Sequence, residues 1–203
     1  MHSLKLTGDW APGPCLVDKL ELDSTLLLNL EGPVLQQGSG GFLKRPKAGP
    51  ALFNLSSPRA PRPGICALAN NHFMDYGVQG MDQSLHYLKE SGWSYVGAGK
   101  SKNAAQAPIF FDFNGLKVAV VSRCEWQFGV ASDSQPGVAG FDASIYHQVN
   151  KLKEKSDLVI ASIHAAAEML PWPSPRRQSA WRALIDAGAD IVHGHHAHVP
   201  QGW

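Results

Sequence analysis

Cysteine is scarce in this chain of 203 residues, and the three that occur, Cys15, Cys66 and Cys124, lie far apart. They form no Cys-x-x-Cys pair, so neither a disulfide framework nor a thiolate zinc site is indicated. A surplus of charge is also lacking, because 18 Lys and Arg residues face 17 Asp and Glu residues, which gives a formal net charge of +1. This balance argues against a general nucleic-acid binder and against a protein that binds anionic membranes.

Long apolar runs are missing as well. No segment approaches the roughly 18 consecutive apolar residues of a membrane span, and the start of the chain lacks the basic and then apolar pattern of a signal peptide. We therefore expect no membrane segment and a cytoplasmic location. Histidine is plentiful, with nine residues, and a globular enzyme or binding domain is the class of protein that remains.

Short apolar runs alternate with helical patterns along the chain, which predicts an α/β fold. The expected strands are Leu4–Leu6, Thr25–Leu30, Gly64–Leu68, Leu158–Ile163 and Ile191–His193, with a hairpin of Ile109–Phe113 and Lys117–Val121 around Asn114-Gly115. The expected helices cover Val78–Leu88, Ile145–Leu152, and a segment that begins after Ser174-Pro175 and ends at Gly188. This order predicts a mixed sheet, or two sheets, covered by helices.

One long segment interrupts the pattern. Phe42–Pro63 is rich in proline and in basic residues, and we expect a long surface loop there, of a kind that is often functional. Its basic side chains could attract an anionic substrate, although solvated loop charges are the more common reading. They are Lys44, Arg45, Lys47, Arg59 and Arg62.

Polar side chains follow five of the predicted strands at the point where each strand ends. They are Asp9, Asn29-Leu30-Glu31, Asn70-Asn71-His72, His164, and Gly194-His195-His196-Ala197-His198. Open α/β sheets bind their ligands at the carboxyl ends of strands, so we expect these side chains to meet. Imidazole, carboxylate and amide groups suit Zn, Fe, Mn or Co. A carboxylate between two cations can bridge them, and a bound cation lowers the pKa of water to about 7.

At these residues the sequence resembles the CapA-like, poly-γ-glutamate capsule synthesis family, a branch of the calcineurin-like metallophosphoesterase superfamily. The matching stretches are Thr7–Asp9, Asn29–Pro33, Leu68–Gly77, Gly97–Gly99, His164 with Glu168, and Ala187–Val199. The Asn-Asn-His-x-x-Asp-Tyr-Gly and Gly-His-His-x-His blocks are the specific ones. The resemblance implies a two-sheet β-sandwich flanked by helices, and one domain over residues 1–203.

The resemblance also implies roles for individual residues. Asp9 resembles the first metal ligand of the superfamily, Glu31 takes the place of the bridging acid, and Asn71 resembles the amide ligand. His164 and His196 resemble ligands of a second metal, and His198 would return to the first. His72 resembles the histidine that donates a proton or stabilises charge at phosphorus. The implied cofactor is one or two divalent cations, Mn, Fe or Zn.

Three features depart from the family pattern. Trp10-Ala11 follow Asp9 where the superfamily has Asp-x-His, so the first metal would lack one imidazole. Ala165-Ala166 replace the usual Trp-Gly after His164, which changes the wall of the pocket. The chain also stops at Trp203, whereas family members continue with further strands. We therefore expect the fold to be incomplete at its C-terminus.

Several residues have a structural reading beside the functional one. Asn71 and Asp75 could be local caps, and for Asp75 the cap is the preferred reading, while His193 and His195 are expected to support the ligands. Gly97-Ala98-Gly99-Lys100-Ser101 lacks the earlier glycine of a P-loop, which we reject, and Gly38–Gly41 is expected to be linker. Phe53, Trp126 and Trp172 would line a pocket or the core, Arg176-Arg177 would attract an anion or be solvated, and His2, His86 and His147 are expected at the surface.

The sequence thus favours a CapA-like protein of capsule or poly-γ-glutamate biosynthesis with a metal-dependent, phosphoesterase-type hydrolase site. Two alternatives remain. One is a non-catalytic accessory that binds an anionic polymer or a biosynthetic partner, and the other is a metal-dependent amidase that cleaves γ-glutamyl linkages. The expected partner is an anionic small molecule or polymer, with no nucleic acid.

Overall fold

A computed structural model describes residues 3–11, 24–35, 64–126 and 129–201, and all the predicted strands and helices are present there. In chain order the elements are β1 (Ser3–Trp10), β2 (Ser24–Leu30), β3 (Ile65–Ala67), α1 (Gly77–Glu90), β4 (Ser94–Val96), β5 (Ala98–Gly99), α2 (Lys102–Gln106), β6 (Ile109–Phe113), β7 (Leu116–Cys124), β8 (Gly137–Val138), α3 (Ser144–Lys153), β9 (Leu158–His164), α4 (Pro175–Asp186) and β10 (Ile191–His195). Phe42–Pro63, with its basic residues, lies outside the described ranges, as do Gly38–Gly41.

Two four-stranded sheets form the centre of the described fold, so the prediction of two sheets is confirmed. The first has the order β1-β2-β3-β4 and is parallel throughout, and the second has the order β10-β9-β7-β6. In the second sheet only β6 is antiparallel, because Asn114 and Gly115 have φ angles of 53° and 83° and close the predicted hairpin with β7.

The strands alternate their side chains between two apolar layers, which places helices outside and sheets inside. Leu27 of β2 packs with Val118, Val120 and Ile160 between the sheets. The neighbouring leucines of β2 face the other way, toward Met81 and Leu88 of α1. On the far side of the second sheet, β7 and β9 pack against α3 and α4 through Ile145, Val149, Leu152 and Leu184. The α/β sandwich with outer helices that the sequence predicted is therefore confirmed.

The glycine-rich stretch after β4 serves packing. Gly97 has a φ of +99°, and a Cβ there would lie 2.8 Å from the Ala69 nitrogen and 2.8 Å from Ser122 Oγ. A Cβ at Gly99 would lie 2.6 Å from the Ala105 nitrogen of α2. Helix α2 has only five residues and is capped by Ser101, whose hydroxyl accepts from the Ala104 amide at 3.3 Å. These close approaches support the rejection of a P-loop.

Within the described residues, none of the helices is both long and apolar enough to cross a membrane. That residues 1–203 form a single domain stays a prediction.

Candidate metal centre

The predicted ligands lie at one edge of the sandwich, where parallel strands of both sheets end. Asp9 is near the end of β1, Glu31 follows β2, His164 ends β9, and His196 and His198 follow β10. The β1–β2 register shifts between Leu6 and Asp9, so that Asp9 lies opposite Asn29. Because parallel strands end on the same side, groups far apart in sequence meet here. Asp9, Glu31, His196 and His198 line a cavity of about 510 Å³ at this edge.

Asn29 joins the two sheets at the centre of this edge. Its side-chain nitrogen donates to Asp9 Oδ1 at 2.8 Å and lies 3.1 Å from His164 Nδ1. Asp9 and His164 belong to different sheets, with Asp9 Oδ1 3.6 Å from His164 Nδ1. Asn29 thus fixes how an acid from the first sheet faces an imidazole from the second.

The loop after β3 carries Asn71, the predicted amide ligand, and His72, the predicted proton donor, to the same edge. Asn70 Oδ1 accepts from the amides of His72 and Phe73, at 3.1 and 2.9 Å, which turns the chain sharply. Asn71 Oδ1 then lies 2.8 Å from His164 Nε2. Asn70 therefore supplies the local turn, and Asn71 faces the centre.

The segment His195–Val199, here called the histidine loop, has an unusual backbone. His196 and His198 have φ angles of 84° and 55°, a left-handed region that side chains other than glycine seldom occupy. The His196 amide donates to Asp9 Oδ2 at 2.9 Å, and the Ala197 carbonyl accepts from Met169 N at 2.9 Å. Strained conformations of this kind concentrate at functional sites, where the surrounding contacts hold them.

Glu31 belongs to two groups of side chains that could each hold a metal ion. One group is Glu31, His164 and His196, and the other is Asp9, Glu31 and His198. In each group the candidate ligand atoms lie within 4.8 Å of one another. Glu31 Oε1 is 3.4 Å from His198 Nε2 and 3.7 Å from His164 Nε2. The described residues thus offer a shared carboxylate between two donor sets.

Burial controls the protonation of these groups. It lowers the pKa of His164 to about 4 and also lowers that of His196, so both imidazoles are neutral near pH 7 and keep a lone pair. Burial raises the pKa of Glu31, as does the neighbouring Asp9 charge. Burial also acts to raise the pKa of Asp9. Hydrogen bonds with His164 and His195 outweigh this effect and hold the pKa of Asp9 well below its usual range.

His72 stands beside the two groups and is a member of neither. Its Nδ1 lies 2.7 Å from Asp75 Oδ2, and this hydrogen bond raises the pKa of His72, with further contributions from the charges of Glu31 and Glu168. The sequence reading of Asp75 as the cap of α1 was wrong, because the N-cap residue is Tyr76. Asp75 orients the His72 ring instead.

Sequence reasoning placed Asn29 among the polar residues at strand ends but gave it no role of its own, and it gave His195 only a general supporting role. His195 Nδ1 lies 3.3 Å from Asp9 Oδ1, and its Nε2 lies 3.1 Å from Ser162 Oγ. An imidazole therefore does stand next to Asp9, although Asp-x-His is missing from the sequence. Asn29 carried a readable signal, since it is a buried amide in the otherwise apolar strand end Leu26–Leu30.

The remaining aromatic and histidine predictions divide. Trp126 and Trp172 are 65% and 75% exposed, so neither packs in the core. Trp126 lines a cavity, which is the other reading that the sequence allowed. His86 and His147 are exposed as expected. Phe53 and His2 lie outside the described residues.

Comparison with known proteins places the chain in a family. The model of the bacterial capsule synthesis protein PGA_cap matches residues 17–203, and the chain belongs to this family.

Relatives share the similarity over part of their length. Capsule biosynthesis protein CapA of Bacillus anthracis is 31% identical over 185 residues, which cover 86% of this chain and 45% of that protein. PGA biosynthesis protein CapA of Bacillus subtilis is 36% identical over 135 residues, which cover 64% of this chain and 36% of that protein. A probable polyglutamine synthesis accessory protein of Mycobacterium tuberculosis is 30% identical over 211 residues, which cover 95% of this chain and 54% of that protein. The chain spans about half the length of these relatives, or less.

Two solved structures resemble the chain more distantly. A hypothetical protein from Thermus thermophilus has a TM-score of 0.47 at 17% identity and covers 87% of this chain and 57% of its own. A phosphatase from Mycoplasma pneumoniae has a TM-score of 0.44 at 17% identity, and the match covers 88% of this chain and 54% of the phosphatase. At these scores neither structure supports an argument about this chain.

Proposed function

We propose that the chain is a metal-dependent hydrolase-like domain of capsule or poly-γ-glutamate biosynthesis, with phosphoesterase-type chemistry on an anionic small molecule or polymer. The observation that carries the proposal is the shared Glu31, which stands in both donor groups. Two cations a few ångströms apart with a bridging acid can clamp a phosphoryl group during in-line attack. The family membership and the names of the relatives support the biosynthetic setting.

The residues present fit divalent cations. The donors are carboxylates and neutral imidazoles, a set that suits Mn, Fe or Zn. Nδ1 of His196 is buried without a hydrogen-bond partner among the described residues, and such an orphaned nitrogen is expected of a group that binds something else. Asp9, Glu31, Asn71, His164, His196 and His198 would hold the cations.

Bound cations would lower the pKa of a water molecule and polarise a phosphoryl oxygen. The chain's own residues would orient the substrate and handle the proton. His72, whose pKa is raised by Asp75, would give a proton from Nε2 to the leaving oxygen as general acid. Asn29 would keep Asp9 and His164 aligned through its contacts with both side chains.

Metal content followed by turnover tests the proposal. Purified protein would be analysed for bound metal and then assayed on a chromogenic phosphodiester with added Mn or Zn. We expect His196→Ala to reduce kcat/KM at least a hundredfold, because one donor group loses one of its two imidazoles. His147→Ala is the matched control, since His147 is an exposed histidine on α3, and it should match wild type. Wild-type protein that binds no metal and gains no activity from added metal would overturn the hydrolase proposal.

One observation favours the accessory alternative. The group Asp9, Glu31 and His198 contains a single imidazole, and the His198 side chain is 41% exposed. A weak site of this kind would suit a protein that binds an anionic polymer without cleaving it. A relative named as a polyglutamine synthesis accessory protein points the same way. Binding of the polymer by metal-free protein, without turnover in any metal, would favour this reading.

A further inference from the structure

A second cavity lies next to the candidate metal centre. We call it the aromatic cleft and define it by Glu125, Trp126, Phe141, Arg176, Arg177 and Trp181, which line a volume of about 620 Å³. The Glu125 amide donates to the carbonyl of His164 at 3.2 Å. The cleft therefore begins one residue beyond the strand pair Cys124–His164, at the edge of the sheet that carries the candidate ligand.

The chain between β9 and α4 connects the two cavities. It starts at His164 in the metal centre and reaches Ser174, the N-cap of α4, at the cleft. Along the way Met169 N is bonded to the Ala197 carbonyl of the histidine loop. The second half of this connection exposes apolar side chains, with Met169 and Trp172 exposed by 67% and 75%, beside the exposed carboxylate of Glu168. A ligand that occupied both cavities would therefore cover apolar surface between them, and exposed surface of this kind commonly marks binding sites.

Trp126 is held in place although it is exposed. Its indole Nε1 donates to the Phe141 carbonyl at 2.8 Å, which fixes the plane of the ring. Phe141 in turn packs edge to face on Trp181, with ring centroids 5.8 Å apart. A large aromatic surface that is already ordered costs little further entropy when a ligand packs on it. The cleft thus has a preformed aromatic wall.

The charge of the cleft is positive on balance. Arg177 forms an ion pair with Glu125, and its guanidinium lies 5.9 Å from the centre of the Trp181 ring. Arg176 is exposed and has no ion pair among the described residues. Guanidinium groups bind carboxylates through two parallel hydrogen bonds. Arg176 is therefore available to receive an acidic group while Arg177 holds the wall of the cleft.

We propose that the aromatic cleft is a subsite for a carboxylate-bearing chain, with Arg176 binding a carboxylate and Trp126 packing against the methylene groups between carboxylates. As a substrate subsite it rests on the proposed function, because it would hold the part of the substrate that lies away from the metal centre. Binding in the cleft itself needs no metal. The ligand class is an extended acidic polymer with short apolar spacers, and not a compact monovalent anion.

Calorimetric titration of the full chain, treated with a chelator, tests the subsite apart from the chemistry. The probe is a short γ-linked oligoglutamate, and the comparison is the same γ-linked chain with its α-carboxylates converted to amides. We expect Arg176→Gln to weaken oligoglutamate binding at least fivefold and Trp126→Ala at least tenfold, while the uncharged oligomer binds weakly to all proteins. Arg182→Gln is the matched control, because Arg182 is an exposed arginine of the same helix outside the cleft, and it should bind as wild type does.

The outcomes separate the two proposals. Wild-type protein that does not bind the oligoglutamate, or cleft variants that bind it as well as wild type, would overturn the subsite whatever the metal assay gives. Equal binding of the charged and uncharged oligomers would also overturn it, because the role of Arg176 would be lost. Charge-dependent binding that Arg176→Gln weakens would support the subsite even if no metal-dependent hydrolysis were found. Circular dichroism spectra that match wild type would show that the variants are folded.

Discussion

Glu31 has the most connected position at the residue scale, since both donor groups of the described chain contain it. The side chains of His164 and His198, which come from the ends of two neighbouring strands of the second sheet, approach the same Oε1 atom at 3.7 and 3.4 Å. A carboxylate placed between two imidazoles in this way can serve two cations with one charge. Replacing it should therefore affect two binding events, whereas replacing either imidazole should affect one.

We expect Glu31→Gln to weaken both binding events for Mn or Zn by at least tenfold, because the amide keeps the shape but loses the negative charge that the cations share. His198→Ala should weaken only one of them. Isothermal titration with each metal measures the effect. Glu154→Gln, at an exposed glutamate that follows α3, should leave both unchanged. A Glu31→Gln protein that keeps one binding event at wild-type affinity would show that the acid is not shared.

At the scale of elements, the short turn between β4 and β5 sets the spacing of two strands. Gly97 lies in this turn with a positive φ, and a Cβ added to it would lie 2.8 Å from the nitrogen of Ala69, which follows β3. Gly115 in the β6–β7 hairpin also has a positive φ, of +83°, but nothing lies within 4 Å of the place a Cβ would take. Both glycines therefore have a positive φ, but only at Gly97 would an added side chain also collide with neighbouring atoms.

We expect Gly97→Asn to destabilise the fold by more than about 2 kcal/mol, because its side chain would force β4 away from β3 in a tightly packed core. Gly115→Asn should cost under about 1 kcal/mol, since asparagine tolerates the left-handed region. Urea unfolding followed by circular dichroism gives both values. Equal losses in the two variants would mean that conformation, and not the contact with Ala69, makes Gly97 necessary.

On the scale of the whole molecule, the candidate metal centre joins the two sheets. Asp9 and Glu31 come from the first sheet, whereas His164 and the histidine loop come from the second. The apolar layer between the sheets, which includes Leu27 and Ile160, supplies most of the association. Cations at the edge would add bonds that exist only when both sheets are in place.

Metal binding should therefore stabilise the fold as a whole. A ligand at a hundred times its Kd adds about 2.7 kcal/mol of stability, which for a chain of this size corresponds to roughly 5 to 10 °C in Tm. We expect Mn or Zn to raise the Tm of chelator-treated wild-type protein by this amount in differential scanning calorimetry. The same metal should shift His196→Ala by less than half as much. An unchanged Tm in wild type at saturating metal would contradict a centre that links the sheets.

The sequence by itself determined the main elements and the set of candidate ligand residues. The branched apolar run Leu158–Ile163 and the helical spacing in Val78–Leu88 are local properties, because side-chain direction repeats within a few residues. The motifs around Asn71-His72 and His195–His198 were readable for the same reason, since each is contiguous. Short elements such as α2 and β8 escaped, because two to five residues carry too little periodicity.

The sequence predicted that the strand-end residues meet, but only the tertiary structure decided which side chains contact each other. Asn29 and His164 are 135 residues apart, and no local pattern states that the ends of β2 and β9 face each other. The partner of Asp75 was misread for a related reason: an acid before a helix looks like a cap until the His72 ring is seen beside it. The sequence left Trp126 between a pocket and the core, and only the structure shows that it is exposed and lines a cavity with Arg176 and Arg177. Contacts between distant segments depend on how the sheets pair and pack, and that information is spread over the whole chain.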